Sequence, residues 1–127
     1  MKPVFNVIAI PFMVIMLAGS AVAGETLTGS FSGLSGHATS GDVALVKSAG
    51  GWVIRMKDNF SFDGAPAPSL GFGRDGEFDS DTNFISLDRL TGAQSYPVPD
   101  DIDPTGYDEI YVWCADYAVA LGVAKLK

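Results

Sequence analysis

Fifteen glycines and seven prolines in 127 residues cut this chain into short runs. Within those runs apolar residues recur at every second position, and no long stripe of helical spacing appears. A period of two is the signature of a half-buried strand, whose successive side chains point to opposite faces of a sheet. Trp52, Ile54 and Met56 share one face against Arg55 and Lys57, and Gly50-Gly51 before them reads as a hairpin turn. Ile110, Val112 and Cys114 point one way, while Tyr111, Trp113 and Ala115 point the other. The pattern predicts strands over 27–31, 37–47, 52–57 (with 59–62 as an extension), 69–72, 94–98, 109–115 and 117–126. Ala65-Pro66-Ala67-Pro68 is a break, because proline removes a donor and fixes φ. Phe84, Leu87 and Leu90, three apart, suit one helical turn. The expectation is an all-β fold, a small antiparallel β-sandwich or barrel-like domain.

The amino-terminal segment follows a different rule. Met1-Lys2 is followed by an almost wholly apolar run from Val4 to Leu17, then by small residues ending Ala21-Val22-Ala23. That order predicts a secretory signal peptide over 1–23, cut between Ala23 and Gly24, and a β domain over 24–127. An uncleaved anchor is the poorer reading, since Pro11 and the small-residue tail interrupt the span. Cleavage removes Lys2 and moves the formal charge from −7 to −8. An expected address in the periplasm or outside the cell follows, with no transmembrane segment in the mature chain.

Acidity narrows the partners. Fifteen acids stand against eight bases, which excludes a role resting on phosphate neutralisation, so no nucleic-acid partner is expected. A single cysteine excludes an internal disulfide framework and a multi-cysteine zinc site. No nucleophile elbow and no phosphate-cradling glycine loop with a following lysine are present.

Three features are left to carry chemistry. Cys114 lies in phase with Ile110 and Val112, which makes it a small buried hydrophobe by pattern alone. A lone exported thiol, however, meets an oxidising space and must be shielded, paired with another molecule or used. Use requires the thiolate, hence a nearby cation or metal. His37, the only histidine, is either a solvated surface residue or, with Cys114, a ligand for a haem iron or a metal. Asp75, Glu77, Asp79 and Asp81 offer oxygens at alternate positions, a weak Ca²⁺ candidate. They do not make an EF-hand, because Phe84 and Leu90 stand where that loop needs glycine and glutamate. Asp100, Asp101 and Asp103 form a second acidic patch.

Several stretches taken together resemble the DM13 domain, often labelled an electron-transfer domain. They are Gly29-Ser30-Phe31, His37-Ala38-Thr39-Ser40-Gly41, residues 65–73, residues 92–99, the run Tyr107-Asp108-Glu109-Ile110-Tyr111-Val112-Trp113-Cys114, and residues 119–126. The Trp-Cys pair with its downstream Leu-Gly-Val-Ala is the most specific of these, and the resemblance spans the whole mature chain. It implies a β-rich extracytoplasmic module whose one cysteine, here Cys114, serves redox chemistry as a bare thiol or as a ligand of a prosthetic group such as haem. The family usually has aspartate after the proline of the middle motif. Here Ala67 stands there, with Asp63 and Asp75 as the nearby carboxylates. The expected function is redox or electron transfer through Cys114, with a redox or cell-surface protein as partner. The alternative is a binding or adhesion module for protein, glycan or Ca²⁺, with Cys114 as core.

Overall fold

The structure, a computed structural model, describes residues 25–127. The predicted leader and its cleavage point lie outside the described residues. Eleven strands follow one another: β1 Thr26–Gly33, β2 Thr39–Ser40, β3 Asp42–Ser48, β4 Gly51–Met56, β5 Ser61–Phe62, β6 Pro68–Arg74, β7 Glu77–Phe78, β8 Ile85–Ser86, β9 Gln94–Pro97, β10 Glu109–Cys114 and β11 Val119–Lys125. Nine of them form one sheet in the order β7-β6-β10-β11-β1-β3-β4-β9, with β8 beside β6, and every pairing is antiparallel. β2 and β5 make a separate two-stranded ribbon. The sheet curls into a half-barrel, so of the two expected architectures the barrel-like one holds. Among the described residues no helix is long and apolar enough to cross a membrane.

The inward face of the curl carries the core. Val43, Leu45, Ile54, Leu70, Phe72, Ile110 and Val112 are each at most 1% exposed, and Cys114 belongs to the same cluster. At about 25 cal/mol per Å² of apolar surface removed from water, such a lining is the main force holding the curl. β10, which lies between β6 and β11, is covered on its outer face as well. The ring of Phe78, from the β7 hairpin, stacks on Trp113 at 4.2 Å between centroids and meets Tyr111 edge-on at 5.6 Å. Glycines in β6 make room for these rings, since a Cβ on Gly71 would come within 2.6 Å of Phe78 and one on Gly73 within 2.5 Å of Tyr111. The buried Glu109 carboxylate then accepts the Gly76 N–H at 3.0 Å and the Tyr111 hydroxyl at 3.3 Å. Burial first, and the Glu109 charge second, push the Tyr111 hydroxyl up to about 12.

Three local expectations are corrected. The run 37–47 is two strands, because Gly41 at φ 103° breaks it between β2 and β3. Residues 59–62 do not extend β4; they turn away, and β5 pairs with β2. Residues 84–90 do not form a helical turn, since Ile85 and Ser86 pair with Leu70 and Ser69. The 3-10 turns lie instead at Ser80–Thr82 and Pro104–Gly106, capped by Asp79 and Asp103.

The half-barrel leaves a seam between β9 and the β6 edge, and side chains close it where the ladder stops. The Asp88 N–H donates to the Tyr96 hydroxyl at 2.8 Å. Gln94 exchanges bonds with the Arg89 backbone, its Oε1 accepting at 3.2 Å and its Nε2 donating at 2.9 Å. Tyr96 in turn donates to Gln94 Oε1. Tyr96 is 1% exposed, so Tyr96→Phe strands the Asp88 N–H without exposing it to much water. An expected loss of about 1–3 kcal/mol, the cost of an unmade buried bond, is measured by urea unfolding; a loss below about 0.5 kcal/mol contradicts this account of the seam.

Candidate functional site

Antiparallel register gives the half-barrel two poles. β10 runs from Glu109 at one to Cys114 at the other, where Cys114 lies opposite Pro68 of β6 and Val119 of β11. The cysteine is 2% exposed, and its thiol donates to the Pro66 carbonyl at 3.0 Å. The next residue, Ala115, donates its N–H to the Ala67 carbonyl at 3.1 Å. Residues 63–67 thus form a short strap across the sulfur. Pro66 and Pro68 have no N–H to pair with neighbours. Ala67 holds φ 48°, a left-handed conformation that a residue with a Cβ adopts only under strain.

A bulge shapes the same pole. The β10–β11 register shifts between Val112, opposite Gly122, and Trp113, opposite Ala120, so Leu121 is left without a direct partner. Its carbonyl accepts the Leu34 N–H at 3.0 Å and the Thr39 hydroxyl at 2.9 Å. Those two bonds bring residues 34–39, and with them His37, to the end of the sheet where Cys114 stands. His37 Nδ1 lies 2.9 Å from Asp63 Oδ1, and Asp63 Oδ2 accepts the Ala38 N–H at 3.0 Å. The Ala38 N–H first, and His37 second, hold the Asp63 carboxyl below the usual carboxylate range.

His37 and Cys114 therefore share one pole and are linked through the strap, which starts at the carboxylate His37 holds and ends over the sulfur. Among the described residues no hydrogen bond joins them directly. Nor do they fit a haem in this arrangement, because the sulfur's open side is taken by the Pro66 carbonyl and an iron has no free approach to it. Asp63 is the residue that sequence reasoning could not rank. Its partner lies 26 positions away, and nothing local marks the pairing.

The acids lie at the opposite pole and have local tasks. Asp75 at φ 56° and Gly76 at φ 77° make the two-residue turn between β6 and β7, and an Asp-Gly pair is itself the sequence signal for that turn. Asp79 accepts the Asp81 N–H at 3.0 Å and the Tyr107 hydroxyl at 2.6 Å, and the Tyr107 bond is the larger cause of its lowered pKa. Asp103 accepts the Thr105 N–H at 3.0 Å. Asp75, Glu77, Asp79 and Asp81 do not converge: among the described residues no three His, Cys, Asp or Glu side chains gather as a metal site. Two shallow clefts open here, one lined by Asp81, Asp101, Asp103 and Tyr107 and one by Asp75, Glu77 and Asp79, with Arg74 shared between them.

The chain is thus a small half-barrel module with a strap-covered thiol at one pole and an acidic rim at the other. A protein family described as electron transfer DM13 matches it over residues 30–126, and the chain belongs to that family. No curated protein and no solved structure matches it.

Two outcomes follow from this geometry. Ala67→Gly removes the Cβ that resists φ 48°, and the relief outweighs the added freedom of the unfolded chain. It is expected to raise stability by about 0.5–1 kcal/mol in a urea melt, and a net loss contradicts the strain. The carboxyls of Asp42, Asp63, Asp79 and Asp103 are all lowered by hydrogen bonds in the fold. Their contribution is fully present above the unfolded value near ~3.9 and is lost as pH falls through the lower folded values. The melting temperature should therefore hold level from pH 7 to about pH 5 and fall below about pH 4; a fall that begins above pH 5 points to other groups.

Proposed function

We propose that the chain is exported and works as a redox module through Cys114. Membership of a family described as electron transfer supports the reading. The observation that carries it is the position of the sulfur: Cys114 is the last residue of its strand, at a pole, with its thiol bonded to a short strap. With one cysteine in the chain, a two-electron step needs a partner. The Cys114 thiolate attacks a disulfide of a partner protein or small thiol; a new S–S bond forms to Cys114 as the partner's bond breaks. The partner sulfur leaves as thiolate, and the proton of Cys114 goes to solvent. The leader expected over residues 1–23 from its sequence pattern supports an oxidising space for this chemistry.

One observation favours the second reading, a binding module in which Cys114 is core. The sulfur is 2% exposed and spends its proton on a carbonyl, and a thiol held as a donor is the unreactive form. Glutathione disulfide separates the two. Under the redox reading, native protein gains one glutathione at Cys114 within hours, dithiothreitol removes it, and Cys114→Ser gains none. Native protein that stays unmodified for days, with an unchanged melting temperature, removes the redox reading and leaves the binding module.

A further inference from the structure

We infer that residues 63–67 are a hinged cover over Cys114 and that the His37–Asp63 pair is its latch. The inference rests on the redox reading for its purpose, and names how access to that thiol is regulated. The two ends of the strap are held differently. At the near end Asp63 is fixed three times over: its carboxylate bonds His37 Nδ1 at 2.9 Å and the Ala38 N–H at 3.0 Å, and its own N–H donates to the Ala38 carbonyl at 3.1 Å. The far end is held by the Cys114 thiol on Pro66 and the Ala115 N–H on Ala67. Between them Ala65 is half-buried against the core edge, and the residues after it are weakly committed. Pro66 and Ala67 are exposed, no ladder partner is available to a proline nitrogen, and Ala67 is bent against its preference. Lifting the strap breaks few bonds and leaves the β6–β10–β11 ladder intact, so it belongs to the low-energy local openings of a fold and not to its global unfolding.

The consequence is that the thiol is out of reach while the latch holds and accessible when it lets go. His37 and Asp63 are positioning residues here, since neither bonds the sulfur. A partner that takes hold of His37 or of the Asp63 carboxylate at the exposed rim competes with the latch, and so couples docking to exposure of the thiol.

Two probes read the same opening without relying on redox activity. N-ethylmaleimide alkylates Cys114 only when the strap lifts, and the Ala115 amide exchanges its hydrogen only when its bond to Ala67 breaks. In wild-type protein the Ala115 amide and the thiol should show equal protection, at least about tenfold weaker than that of the Val112 amide; tenfold corresponds to about 1.4 kcal/mol of opening free energy. Asp63→Ala and His37→Ala should each raise the alkylation rate by about tenfold or more, beyond any change in the urea-derived unfolding equilibrium. Ala67→Gly, which favours the closed strap, should lower it. The inference is overturned if Ala115 is as protected as Val112, or if the latch variants react faster only in proportion to their loss of global stability. Alkylation that follows the latch while glutathione disulfide gives no adduct keeps the cover and removes the redox reading. The reverse result keeps the redox reading and removes the cover.

Discussion

The register of β10 between β6 and β11 is the constraint on which the functional pole depends. Pairing Glu109 with Gly73 and Lys125 at one end fixes Cys114 opposite Pro68 and Val119 at the other. A slip of one residue on this strand would exchange its faces, sending Ile110, Val112 and Cys114 out and Tyr111 and Trp113 into the core. Each face resists that exchange by its own means. Inside, the residues of β10 pack with the neighbouring strands of the curl. Outside, Phe78 clamps Tyr111 and Trp113 over two glycines that leave it room. The single register shift, at the bulge beside Trp113, does not release the strand. Beside it the Leu121 carbonyl, on the β1 side of β11, ties in the segment carrying His37.

What the sequence disclosed and what it hid divide along contact range. Alternation in 52–57 and 109–115 is local, and it placed those strands and the inward phase of Cys114 correctly. The same rule overran at 37–47, where one glycine in a left-handed conformation ends one strand and begins another. It failed at 84–90 because three apolar residues spaced by three also suit an extended segment whose side chains pack against the core edge, as Phe84 and Leu87 do. The alternating acids also have local tasks in the fold. Asp75-Gly76 is a hairpin signal, and Asp79 and Asp103 are caps, so local backbone needs account for residues that composition offered as ligands. The link from His37 through Asp63 to the cover on Cys114 was not legible at all, since it joins residues 26 and 48 positions apart by single contacts.

The family carries the name electron transfer, while the geometry shows a sulfur bonded to a carbonyl and covered. The two agree if resting and working states differ. A thiol stored as a donor to a carbonyl is slow to react with diffusing oxidants, because the reactive species is the thiolate. A surface that exposes it only on contact with a partner would direct chemistry to that partner and spare the cysteine from irreversible oxidation. On this view the strain at Ala67 serves the fold's dynamics, since it keeps the covered state only modestly favoured.

The seam closed by Tyr96, Gln94 and Asp88 bears on how these molecules behave in a crowd. An open sheet presents two rows of unpaired backbone groups, and such rows template pairing between chains. Here the β6 edge is occupied by β7 at one end and β8 at the other, and the Thr82 hydroxyl takes the Phe72 N–H between them at 2.7 Å. The β9 edge carries Pro97 within the strand and Pro99 just after it, and the 88–94 crossing lies against it through side-chain bonds. The same few contacts that complete the curl thus blunt both rims of the sheet, leaving few unpaired backbone groups on which a second copy of the chain could add a strand.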